Sequence, residues 1–168
     1  MIRRFAQFLA VSCFLTFIAF GQEEKDTSEK VLEGKVKKIV DGDSIIVLDK
    51  DDKEQEVQLE GIDAPEPKQD FGGEATKLLD KKISGKEVVG KWKTKDSFER
   101  ILGHVYIGEQ FVNLEMVRIG AAWHFKRYNK DPEFAKAEDK AREVKLGLWK
   151  ESSPTPPWDF RKNNKTKV

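Results

Sequence analysis

The sequence predicts a small closed β-barrel carrying about three helices, an α+β fold, and three observations lead there. From Leu32 onward, short β-type runs bounded by turn residues take the place of any long apolar segment; a helical stripe interrupts them after the third run; two further helices end the pattern. The order β-β-β-α-β-β-α-α, with five short strands and a helix inserted after the third, is the plan of an OB-fold barrel.

Val36, Ile39 and Val40 make the first run, Asp41-Gly42-Asp43 a tight turn, and Ser44 to Leu48 the second run. Asp49 to Lys53 closes another hairpin before Glu56 to Ile62. Residues 63–72, with Pro65, Pro67 and Gly72, are irregular and form a loop on one rim. Ala75, Leu78, Leu79 and Ile83 fall at helical spacing, with Gly85 beyond the end as a stop. Glu87 to Trp92 and Ile101 to Ile107 read as strands, the second closing on Gly108-Glu109. Phe111 to Ile119 reads as a helix with Gly120 just past it. The last helix has Asp131 as N-cap, Pro132 at its first position, and Phe134, Ala137, Ala141 and Val144 on one face, ending at Gly147.

The flanks divide the chain further. Arg3 and Arg4 precede the apolar run Phe5 to Phe20, and Ala19-Phe20-Gly21 ends it, which is the layout of an export signal over residues 1–21. The run is interrupted by Gln7, Ser12 and Thr16 and is too short for a bilayer span. Apolar residues continue past Cys13 to Phe20, which argues against a lipid anchor at that cysteine. Residues 22–30 are a polar spacer, residues 31–150 the folded domain, and residues 151–168 a Pro-rich, then basic tail read as extended and mobile. The exported form would be a monomer with no membrane span and no stable protein partner, either secreted or periplasmic.

Of the 31 basic and 30 acidic side chains, export would remove two arginines and no acid. The net charge then lies near −1, so bulk charge gives no reason to propose a nucleic-acid ligand. Cys13 is the only cysteine and would leave with the leader, so a disulfide framework is excluded. His104 and His124 are the only histidines, which leaves no zinc cluster.

Carboxylates on irregular backbone beside a strand occur twice, in Asp41-Gly42-Asp43-Ser44 and in Asp63-Ala64-Pro65-Glu66. Hard divalent cations need such oxygens, and the two segments would line one pocket if their strands are neighbours. Taken alone, Asp41-Gly42-Asp43 is also an ordinary hairpin turn in which glycine supplies positive φ. An EF-hand starting at Asp49 fails, because Glu54 stands where that loop requires glycine.

A third segment, Asp96 to Arg100, makes the pattern specific. Together with Asp41-Gly42-Asp43-Ser44, Leu59-Glu60-Gly61-Ile62-Asp63-Ala64-Pro65-Glu66 and Gly147-Leu148-Trp149, in that order from Val31 to Trp149, it resembles the staphylococcal nuclease (thermonuclease) family. That family's signatures are Asp-Gly-Asp-Thr, Arg-Leu-x-Gly-Ile-Asp-x-Pro-Glu, Asp-x-Tyr-Gly-Arg and a late Gly-Leu-Trp. The resemblance implies an OB-fold barrel and Ca²⁺-dependent hydrolysis of DNA or RNA phosphodiesters. By position it implies that Asp43 and Asp63 bind the metal through carboxylates and Ala64 through its carbonyl, with Asp41 as a nearby acid. Glu66 would orient or deprotonate the attacking water, and Arg100 would bind the phosphate.

Three departures stand out. Gln58 occupies the position of one of the family's two phosphate-binding arginines, which would cost about 10² to 10³ in rate if no other donor replaces it. Phe98 and Glu99 stand where Tyr-Gly is expected, while Ser44 for threonine is mild. Trp123, Phe125 and Tyr128 alternate with Lys126 and Arg127 and suit base stacking beside phosphate contacts, with Phe98, Arg127 and Tyr128 the substrate-binding candidates; Trp123 suits core packing equally. The expectation is an exported nuclease, attenuated by Gln58. The alternative is an OB-fold module that binds nucleic acid or protein with little or no catalysis.

Overall fold

The computed structural model describes residues 28–165. The expected leader, most of the spacer, and residues 166–168 lie outside the described residues. Among the described residues no helix is long and apolar enough to cross a membrane.

Strands β1 (Lys30–Ile39), β2 (Ser44–Asp49) and β3 (Glu54–Leu59) form an antiparallel meander. The Asp49 side chain fixes the second turn by accepting from the amides of Asp51 (2.9 Å) and Lys53 (3.0 Å). After a two-residue strand β4 (Ile62–Asp63) and helix α1 (Gly72–Ile83), strands β5 (Glu87–Lys95) and β6 (Ile101–Ile107) return to the sheet. β5 pairs with the free edge of β1, and β6 pairs antiparallel with β5. β6 also runs parallel to β3, with Val57, Gln58 and Leu59 opposite Ile101, Leu102 and Gly103, which closes a five-stranded barrel with no open edge between them. This is the OB-fold connectivity that the element order predicted.

Alternation explains what fills the barrel. Ile45, Val47, Val57, Leu59 and Val105 project inward and are almost wholly buried, while the alternating Ile46, Leu48, Glu56, Gln58, His104 and Tyr106 are more exposed. Ala75, Leu79 and Ile83 lie on one face of α1 and are fully buried, Leu79 and Ile83 within the barrel's own core cluster. Each such side chain contributes on the order of 1.5–3 kcal/mol by leaving water. Strand β7 (Gln110–Phe111) and helix α2 (Val112–Arg118) follow, and fully buried Asn113 accepts from the Val105 amide and donates to the Glu60 and Gly103 carbonyls, all at 2.9 Å. That one side chain ties α2 to the β3–β6 seam. Strand β8 (Trp123–His124), helix α3 (Pro132–Glu143), a 3₁₀ turn (Gly147–Lys150) and helix α4 (Pro157–Lys165) complete the chain.

The structure corrects two expectations. The third run does not continue to Ile62: it stops at Leu59, Gly61 takes a positive φ of 82°, and Ile62–Asp63 leaves the barrel to pair with β8. The tail is also not uniformly extended, because residues from Pro157 onward form a fourth α-helix. Buried Pro157 begins it, and Trp158 packs edge-on against Trp123 (5.5 Å) and stacks on Phe125 (5.5 Å, 8°). A Pro-rich segment followed by basic residues carries no apolar period of its own, so only these tertiary contacts reveal its helix.

Candidate active site

Two acidic loops meet at one rim of the barrel. The Asp43 amide donates to Asp41 Oδ1 (3.0 Å), and Asp43 Oδ2 accepts from the Ala64 amide at 2.6 Å, so the turn between β1 and β2 is bonded directly to the segment after β4. Gly42 serves this approach in a way the turn alone did not suggest. Its φ is not in the left-handed region; instead, a Cβ there would meet Ala64 Cβ at 2.7 Å and Ala75 Cβ at 2.9 Å. The residue is glycine because the Ala64 segment and helix α1 converge on it.

Asp43 is only 6% exposed and Asp63 only 5%. Burial, and then the like charges of Asp41 and Asp63, push the Asp43 carboxyl well above the ordinary range, against a hydrogen bond from the Ala64 amide and the Gln58 side chain. Asp63 is raised by burial as well and held back by the hydrogen bonds and charge of Arg161. Buried carboxylates crowded by like charge are short of positive charge. The donors are oxygens without nitrogen or sulfur, which suits a hard divalent cation. Among the described residues no three Asp, Glu, His or Cys side chains converge as a metal cage; Asp63 and Glu66 are drawn onto Arg161 instead.

Arg161 is the residue that sequence reading missed. From α4 its Nη1 donates to Asp63 Oδ1 (3.0 Å) and Glu66 Oε1 (2.7 Å), and its Nη2 donates to Asp63 Oδ2 (2.7 Å). It lies 98 and 95 positions from these partners, within a segment read as tail, so no local signal pointed to it.

Gln58 lies opposite Ser44 on the β2–β3 ladder and accepts from Ser44 Oγ at 2.7 Å, so the amide sits beside Asp43 where the family arginine is expected. Arg100 enters from the loop before β6. Asp96 organises that loop, accepting from the Phe98 (2.8 Å) and Arg100 (3.0 Å) amides and from Arg100 Nε (2.8 Å). Arg100 Nη1 reaches Ser44 Oγ at 3.5 Å, which brings the guanidinium to the Asp43 side of the pocket. Burial opposes ionisation of Asp96, but the Phe98 amide and the Arg100 hydrogen bonds and charge outweigh it and hold the carboxyl below the usual range.

Glu99, where the family motif has glycine, takes φ +65°. A side chain in that region costs about 1–2 kcal/mol, partly offset by glycine's extra freedom in the unfolded chain. Glu99→Gly is therefore expected to stabilise the fold by about 0.5–1 kcal/mol, read as a higher urea midpoint at unchanged slope.

The aromatic candidates separate. Trp123 is core, packed at 4.4 Å against Trp149. Phe98 (78% exposed) lies under the Arg100 guanidinium at 5.7 Å, and Tyr128 (66% exposed) under that of Arg127 at 5.5 Å. Phe98 thus borders Arg100. Tyr128 lies on the turn after β8, the partner strand of Asp63. A cavity of about 420 Å³ beside α4, lined by Phe125, Arg127, Glu138, Arg142 and Trp158 among others, does not include Asp41, Asp43, Asp63 or Glu66.

One rim of the five-stranded barrel thus gathers acidic oxygens and two guanidinium groups, a set whose charges suit a cation and phosphate oxygens. Residues 56–151 match the family described as Staphylococcal nuclease homologue. The chain is 41% identical over 131 residues to an Escherichia coli protein named Uncharacterized endonuclease, covering 77% of this chain and 85% of that protein. A Haemophilus influenzae protein of the same name is 36% identical over 165 residues, 98% of this chain and 89% of its own. Staphylococcal-like nuclease CAN1 of Arabidopsis thaliana is 40% identical over 113 residues, 67% of this chain and 35% of its own. The chain belongs to the staphylococcal nuclease family and is a nuclease, a hydrolase whose substrate is nucleic acid. The Asp41 to Ser44 loop lies just upstream of the matched residues.

Proposed function

We propose that this nuclease is calcium-dependent, acts outside the cytoplasm on DNA or RNA, and uses the carboxylate rim as its catalytic centre. The observation that carries the reading is the direct bond between the two acidic loops, Ala64 amide to Asp43 Oδ2, with Asp43 buried among like charges. Asp43 and Asp63, with the Ala64 carbonyl, would hold the cation, and Asp41 would add negative charge behind them. The bound cation would supply electrostatic stabilisation of charge developing on phosphate oxygens. Glu66, at the mouth of the same loop, takes the proton of the attacking water as that water's oxygen bonds to phosphorus and the bond to the leaving sugar oxygen breaks. Arg100, held by Asp96, grips a phosphate oxygen with Nη1. Residues 1–21 would direct export.

The test is cleavage of single-stranded DNA and RNA by the purified chain in Ca²⁺ and in excess chelator. Cleavage is expected in Ca²⁺ and should fall at least ~100-fold with chelator. Absence of metal-dependent cleavage at high enzyme concentration would overturn the reading and leave the binding module.

A further inference from the structure

Gln58 leaves the barrel wall with an uncharged amide where a guanidinium is expected, yet the rim holds a second guanidinium from elsewhere. The geometry points to Arg161 as that missing group: a phosphate-binding residue of the active site, supplied by the C-terminal helix in place of the side chain at position 58. This rests on the nuclease reading of the rim.

Five observations carry it. Arg161 sits on Asp63 and Glu66 together, one expected to hold the cation and the other to activate water, so a phosphodiester bound to that cation and attacked by that water would come within reach of the same two Nη groups. It presents the planar fork that matches two phosphate oxygens. It is preorganised, because Trp158 stacks on Phe125, Pro157 is buried, and the Gln69 side chain donates to the Thr155 carbonyl just ahead of the helix. Two other arginines have partners of their own: Arg118 pairs with Glu115 and Arg127 lies over Tyr128. Arg161 is 41% exposed, so the guanidinium faces the mouth and not the interior. A cation on Asp63 would relieve the carboxylates of their need for Arg161 and free its donors for the phosphate. Arg100, from the loop before β6, and Arg161, from α4, then both reach the acidic rim.

The experiment compares the full chain with Arg161→Gln, Arg161→Lys and Gln58→Arg/Arg161→Gln. It measures kcat and KM on single-stranded DNA in Ca²⁺, and Kd for a nuclease-resistant phosphorothioate oligonucleotide in Ca²⁺. Melting curves establish that each variant is folded, and Arg161→Lys, which keeps the charge, stands in if Arg161→Gln is not. Arg161→Gln is expected to lose about 10²-fold in kcat or more and to weaken oligonucleotide binding about 10-fold, with a salt slope smaller by about one. Arg161→Lys should fall between, and Gln58→Arg should recover most of the loss. Unchanged or increased rate and affinity in Arg161→Gln would overturn the inference, since the guanidinium would then only cap empty carboxylates. So would a rate loss with unmoved Kd that Gln58→Arg does not recover, since Arg161 would then merely prop Asp63 and Glu66. If the parent chain cleaves nothing, the nuclease reading falls; a Kd that still weakens in Arg161→Gln would keep the phosphate contact standing by itself.

Discussion

Asp43→Asn is expected to abolish cleavage while making the cation-free protein more stable. Asp43 is almost fully buried, accepts from the Ala64 amide at 2.6 Å, and is crowded by Asp41 and Asp63. Its carboxyl is raised by burial first and by those charges second, so the folded protein binds this proton more tightly than the unfolded chain. The sign follows: ionising Asp43 costs nothing below the ordinary carboxylate pKa of about 4, and the cost grows as pH rises through the elevated folded value. Asparagine preserves the shape and one acceptor and removes the charge. At pH 7 without cation the variant should gain roughly 1 kcal/mol, about 2–4 °C in Tm at this chain length, and the gain should vanish below about pH 4. In Ca²⁺ the proposed cation site would reverse the ranking, since binding would stabilise the parent and the variant would lack a carboxylate ligand. Turnover should fall at least ~10³-fold. Equal Tm for the two proteins at pH 7 in chelator would refute the account of Asp43 as an uncompensated charge.

Glu66→Gln carries the second large effect, for a different reason. Glu66 follows the two-residue strand that carries Asp63, and its backbone is fixed by Gln69, whose side chain accepts from the Glu66 amide (3.2 Å) and whose amide donates to the Glu66 carbonyl (2.8 Å). The carboxylate is thus held at the mouth of the pocket, next to the buried acids without being one of them. In the proposed mechanism it would receive the proton of water, contributing to the bond-making step and little to cation affinity. The amide is isosteric but cannot take the proton, so kcat should fall about 10²- to 10⁴-fold, while the Ca²⁺ affinity read by calorimetry should change less than for Asp43→Asn. A loss of affinity equal to that of Asp43→Asn, with the rate restored at saturating Ca²⁺, would make Glu66 a cation ligand and not the base.

Much of this was legible in the chain because it is local. The Asp96 to Arg100 loop, Pro65 before Glu66 and the period-2 runs are short-range patterns, and backbone sterics and side-chain alternation shape them with little help from the rest of the fold; the Asp41-Gly42-Asp43 turn is as easily located, though its glycine is required for a tertiary reason. The Asp131 N-cap is equally local: its side chain accepts from the Glu133 amide at 2.8 Å, as the sequence predicted. Even the departure at Glu99 could be named from sequence, although its positive φ could not.

Tertiary structure decided what depends on two distant segments meeting. Gly42 is glycine because Ala64 and Ala75 arrive beside it. Asn113 looks like any polar residue in a helix until the β3–β6 seam closes over it. Trp123, which suited either stacking or packing, is buried because Trp149 and Trp158 cover it. Arg161 is the extreme case: in sequence it is one basic residue in a basic tail, and it meets Asp63 and Glu66 only because the aromatic contacts of Trp158 dock α4 beside β8. Sequence determined the barrel, the family and the acids at the rim. Long-range packing decided which guanidinium faces those acids, since the position of a charge brought from nearly a hundred residues away is set by the helix that carries it.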